Sequence, residues 1–128
     1  MTRLIIEFGT GADLYGGDYT KAACRAVRDA IGHSSLSLFS SCGYDHRAMT
    51  VKVTIGVQNP EAVDGDVVAA SLPRGNPEVH VVKGGQNIAN ADRANADSES
   101  PTIIAAAAVE AFLEIDPKDW KLRESNND

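Results

Sequence analysis

The sequence predicts an α+β fold: a two-layer sandwich with helices against a mixed sheet, in the order β-α-β-α-β with room for a short fourth strand, closed by a C-terminal helix. Three observations carry this expectation. The apolar, β-branched run Leu4-Ile5-Ile6-Glu7-Phe8 leads through a glycine-rich segment into helical apolar spacing from Tyr19. Met49, Val51, Val53, Ile55 and Val57 then alternate with polar or small residues, the period of a half-buried strand. A second β-branched run, Val79-His80-Val81-Val82, ends at Gly84-Gly85. With 128 residues, 43% of them hydrophobic, the chain has enough material for one core and would be cramped as two domains. The expected domain is residues 1–117, followed by a polar, mobile tail over 118–128 that is anchored only if Trp120 docks.

Strand one covers residues 4–8 and is bounded by Gly9. Asp18 stands where a helix N-cap belongs, and Tyr19, Ala22, Ala23, Ala26, Val27, Ala30 and Ile31 follow at i, i+3, i+4 spacing until Gly32. The serine-rich stretch 34–41 and the segment from Cys42 to Arg47 read as loop with at most a short edge strand. After strand two, Asn59-Pro60 breaks the chain, and a shorter second helix begins near Asp66 and stops at Pro73. Residues 78–83 form strand three and 86–89 a short fourth, while 90–98 is a polar connector. Ser100-Pro101 has the form of a helix opening, and the alanine-rich stretch 102–115 is expected to be the C-terminal helix, ending before Pro117.

Charge and composition exclude several functions. A net charge of -6 argues against a nucleic-acid partner, which would require a basic surface to displace counterions from phosphates. No run approaches the roughly 18 apolar residues of a membrane span, and Met1-Thr2-Arg3 leads straight into strand one without the long apolar region of a secretory signal. The expected location is cytoplasmic, with no membrane partner. Cys24 and Cys42 form no CxxC pair, and His33, His46 and His80 share no ligand spacing, so neither a metal nor a cofactor is implied.

The chemistry, if there is any, centres on residues 9–18. Gly9, Gly11, Gly16 and Gly17 permit close approach of a ligand or another backbone, and the order strand, glycine loop, helix invites comparison with phosphate-binding turns. The spacing lacks the third glycine of GxGxxG, and no GKT or GKS follows, so dinucleotide and P-loop readings fit poorly. Asp13 can accept hydrogen bonds from a ligand, act as a base or bind a cation; equally, it can cap the loop by accepting from a nearby backbone N–H. Lys21 and Arg25, in the first two turns of the helix, either reach an anion held in the loop or form part of a solvated face. Gly84 and Gly85 make a second close-approach loop, expected near the first.

The stretch Gly9-Thr10-Gly11-Ala12-Asp13-Leu14-Tyr15-Gly16 resembles the GxGxDxHG signature of the Lin family of conserved hypothetical proteins, and Asp18-Tyr19-Thr20-Lys21-Ala22-Ala23 resembles the helix opening that follows it. The likeness extends through Val81-Val82-Lys83-Gly84-Gly85. No function is assigned to that family. Tyr15 departs from the signature histidine. If the histidine carries a proton or a metal in relatives, a tyrosine with a reference pKa of about 10 cannot replace it as a base, and the chain is an altered paralogue working beside a histidine-containing partner. Alternatively the ring packs, donates a hydrogen bond and preserves binding.

The element order is also similar to the chorismate-mutase-like fold of the Bacillus type, whose members form trimers with small-molecule sites between subunits. That resemblance implies a homo-oligomer such as a trimer, or a hetero-oligomer with a paralogue, and says nothing of a reaction. Two readings of the function follow. In the first, Asp13 and Lys21 are catalytic, acting as a hydrolase or isomerase would on a small carboxylate or cyclic amide, and Gly9, Gly11, Tyr15, Gly16, Asp18, Arg25, Gly84 and Gly85 hold the ligand. In the second the chain is a non-catalytic structural or partner subunit whose loop shapes an interface.

Overall fold

A computed structural model of the chain describes residues 1–32, 46–89 and 101–114. β1 spans Thr2–Asp13 and therefore continues well past Phe8, taking Gly9, Gly11 and Asp13 into the sheet. α1 spans Tyr19–Gly32 and buries Ala22, Ala23, Ala26, Val27 and Ala30, the face that its apolar spacing predicts. β2 is Thr50–Val57, with strict inward alternation, and α2 is Gly65–Ala70. The Asp64 side chain caps α2, accepting from the N–H groups of Asp66 and Val67. β3 is Asn76–Lys83, β4 is Gln86–Ile88 and β5 is Thr102–Leu113. Single 3-10 turns at His46–Ala48 and Pro60–Ala62 precede β2 and α2. The expected loop at 34–45, the connector at 90–98 and the tail at 118–128, with Cys42 and Trp120, lie outside the described residues.

The strands form one mixed sheet in the order β1-β5-β2-β3. β5 runs antiparallel to both β1 and β2, and β2 is parallel to β3, so β1, β2 and β3 all point the same way. β1, α1 and β2 thus make a β-α-β unit split by an inserted strand. β4 pairs with residues 102–104 of β5, on the edge that β2 leaves free beyond Ala106. Both helices pack on one face, where Val53, Ile55, Val57, Val68, Ile103 and Ala105 join the α1 alanines in a single core. This is the two-layer α+β sandwich that the pattern predicts.

The C-terminal helix is a correction: residues 102–113 are the central strand. The stretch contains Ile103, Ala105, Ala107, Val109, Ala111 and Leu113 at period two, all buried, and the intervening positions face the other side of the sheet. Alanine has high helix propensity, but propensity is a weak prior, and a strand paired on both edges overrides it. Small side chains suit this position because α1 packs across β1 and the neighbouring β5.

The glycines of β1 have the same explanation. A Cβ on Gly9 would fall on the Ala30 nitrogen and the Ala26 carbonyl oxygen of α1, and a Cβ on Gly11 on the Ala26 nitrogen and the Ala22 carbonyl oxygen. Strand and helix backbones meet there without intervening side chains, which only glycine under an alanine face allows.

Candidate functional site at the carboxyl ends of the parallel strands

β1, β2 and β3 all end at one pole of the domain, where α1 begins. The chain leaves β1 at Asp13 and reaches α1 through Leu14-Tyr15-Gly16-Gly17-Asp18, a turn shorter than the loop expected over residues 9–18. Gly17 adopts φ of 67°, a conformation that side-chain-bearing residues rarely take, and this lets the chain reverse in so few residues.

Asp13 is the pivot. It is the one buried charged residue among those described, and its Oδ2 accepts a hydrogen bond from the Asp18 N–H at 2.8 Å. Arg25 Nη1 lies 3.7 Å from its Oδ1 and donates to the Ala12 carbonyl at 2.7 Å. Asp18 in turn accepts from the Lys21 N–H at 3.0 Å through Oδ1, and from the Ala22 N–H at 3.1 Å through its carbonyl, the N-cap role expected of it. A Cβ on Gly16 would come within 2.8 Å of Asp13 Oδ2, so the turn wraps tightly around the carboxylate. Asp13, Gly16, Asp18 and Arg25 therefore form one network that fixes the entry to α1.

Gly84 and Gly85 lie at the same pole, one strand away. Gln86 pairs with Ile104, whose other edge pairs with Ala12. Gln58 Nε2 donates to the carbonyls of Gly84 and Gly85 at 3.0 and 3.3 Å, and the Gly84 N–H donates to Val57 at 2.9 Å. Sequence reasoning missed three ties that bind this pole together: Gln58, Asn87 donating to the Tyr19 hydroxyl at 2.6 Å, and Thr102 donating to the Leu14 carbonyl at 3.2 Å. An amide placed directly after a strand end was the only local signal for any of them.

The sequence-predicted residues thus divide into three groups. Gly9 and Gly11 sit under α1, away from the turn. Asp13, Asp18 and Arg25 are tied within the chain by hydrogen bonds and an ion pair, with Gly16 packed against Asp13, and Gly84 and Gly85 are held by Gln58. Tyr15 and Lys21 are exposed, and their side chains have no partner among the described residues.

A family model described as conserved hypothetical protein, Lin0512_fam, matches residues 3–111. The chain belongs to that family. Among solved structures it is similar to an FtsZ-like protein of unknown function from Nostoc punctiforme PCC 73102, with 38% identity and a TM-score of 0.78 over 89% of this chain and 97% of that one. No curated protein matches it.

At the pole of this Lin0512-family domain the Asp13 carboxylate is already engaged by the backbone N–H of Asp18. Among the described residues no group of three His, Cys, Asp or Glu side chains could hold a metal ion, and no helix is long and apolar enough to cross a membrane. A cleft of about 310 Å3 opens at the opposite pole, where α1 ends, and is lined by Ile5, Glu7, Ile31, Met49, Leu72 and Arg74 among others. None of the expected site residues lines it.

Proposed function

We propose that this domain binds a small carboxylate or cyclic amide at the pole around the Leu14 to Asp18 turn, with Lys21 and Tyr15 touching the ligand and Asp13 holding the turn in shape. One observation supports the reading above others: the carboxyl ends of three parallel strands converge with the start of α1, the place where open α/β sheets bind ligands. The exposed, unpartnered ammonium of Lys21 and phenol of Tyr15 supply a cation and a hydrogen-bond donor there. The internal satisfaction of Asp13 favours binding over turnover.

A second reading has its own support. Leu14, Tyr15 and Ile88 are large hydrophobic residues, each at least half exposed, at or beside this pole, as a subunit that docks onto a partner would present them. A thermal-shift panel of small carboxylates, cyclic imides, phosphates and divalent metals separates the two. A ligand at about 100 times its Kd raises stability by about 2.7 kcal/mol, and Lys21→Ala removes that response. If no compound raises the melting temperature, or if Lys21→Ala responds as the parent does, the ligand reading fails.

A further inference from the structure

The sheet face turned away from the helices carries a row of charges in a fixed order. Lys52 on β2 pairs in register with Glu78 on β3 and with Glu110 on β5, whose β1 partner is Ile6; Arg3, in register with Phe112, reaches diagonally to bond Glu110 at 3.2 Å. Read from β3 towards β1, the signs run minus, plus, minus, and the Arg3 guanidinium adds a plus beside Glu110. Glu78 is held by His80 at 2.7 Å, whereas Lys52 has no ion-pair partner within bonding distance among the described residues. On one side of the row the same face carries Phe8, Ala108, Thr54 and His80 at one level and Thr10, Ala106, Gly56 and Val82 at the next. Phe8 is 66% exposed and Val82 47%, and both helices lie on the opposite face.

We infer that this face is the self-complementary interface of a twofold homodimer, two sheets packed face to face about an axis parallel to the strands and midway between β5 and β2. Such an axis maps β3 onto β1 and β2 onto β5. The row then meets its own reverse: Lys52 faces the partner's Glu110, Ile6 faces the partner's Glu78 with the Arg3 guanidinium beside it, and no like charges are opposed. Phe8 falls over the partner's His80, and Ala108 over the partner's Thr54. An in-plane axis across the strands would set each charge against its own copy if it passed through the row, and would leave the row against Thr10, Ala106 and Gly56 if it passed through the Phe8 level. The four strands make a face of roughly 19 by 26 Å, on the order of 500 Å2 in plan per copy. With side-chain relief, the pair of faces reaches the range of about 1,200 Å2 where stable interfaces begin. The partner is a second copy of this chain because the reversed row supplies the matching charges. The interface is independent of any ligand at the pole.

Native mass spectrometry and light scattering of the full chain, from about 1 to about 100 µM, test it with Lys52→Glu, Glu110→Lys and their equimolar mixture. The parent is expected to dimerise. Each reversal opposes two pairs of like charges and should weaken self-association at least about tenfold. In the mixture the carboxylate introduced by Lys52→Glu meets the ammonium introduced by Glu110→Lys, so a heterodimer should form in excess of either homodimer. Phe8→Glu, at an exposed position that the monomer does not need, should give a folded monomer by circular dichroism. A monomeric parent at the highest concentration, a trimer, reversals that dimerise as the parent does, or a mixture without heterodimer excess would each overturn the proposal.

Discussion

Replacing Gly11 by alanine adds a single carbon at a place already occupied by the backbone of α1. The new Cβ would fall on the Ala26 nitrogen and the Ala22 carbonyl oxygen, and would lie 2.7 Å from the Arg25 carbonyl carbon. Backbone atoms inside a helix cannot swing aside as a side chain does, so either α1 lifts from the sheet or β1 bows. Lifting α1 exposes Ala22, Ala26 and Val27, all within 1% of full burial. Overpacking of a well-packed core costs about 1–3 kcal/mol, and a clash with two backbone segments belongs at the upper end. For a chain of 128 residues, unfolding entropy of about 2.1 cal/mol/K per residue makes about 3 kcal/mol equal to a fall of about 11 °C in Tm. Gly32→Ala is the internal control, because a Cβ there meets nothing within 4 Å, and its effect should stay within about 0.5 kcal/mol. Thermal and urea unfolding followed by circular dichroism read both. If Gly11→Ala melts within about 2 °C of the parent, the direct contact of helix on strand is not what selects glycine there, and the explanation of the β1 glycines is wrong.

Two further substitutions test the turn and the second helix. Asp13→Ala strands the Asp18 N–H and removes the carboxylate beside Arg25 and should cost about 2 kcal/mol by urea unfolding, whereas Asp13→Asn keeps one acceptor oxygen and should cost less; equal losses would show that the carboxylate does not organise the turn. Asp64→Ala removes a cap that serves two N–H groups of α2 and should cost about 1 kcal/mol, with hydrogen exchange rising first at Asp66 and Val67; unchanged exchange there would refute the cap.

Much of the fold was legible because its signals are local. The α1 apolar spacing, the Asp18 cap and the β2 alternation each occupy adjacent residues, and each reappears in the structure with nearly the expected bounds. β5 was not legible in this way. Ile103-Ile104-Ala105-Ala106-Ala107-Ala108 satisfies both a helical and an extended pattern, and what decides between them is pairing with β1 and β2, whose partner residues lie far away in the chain. The same applies to β1 beyond Phe8: Gly9, Gly11 and Ala12 have little strand propensity of their own, and the register with residues 104–107 draws them into the sheet.

The glycine-aspartate segment shows the division most clearly. The sequence by itself determined that Gly9, Gly11 and Asp13 stand beside a helix start, that Asp18 caps it, and that the segment resembles a family signature. Only the tertiary structure decided what each residue does there. The two β1 glycines admit the α1 backbone, and Asp13 binds the turn that follows. The physical reason is that a missing side chain permits any close neighbour, ligand or helix alike, and a buried carboxylate accepts from whichever donor the fold brings to it. Neither choice is written in the residues adjacent to it; both depend on where the alanine face of α1 comes to rest.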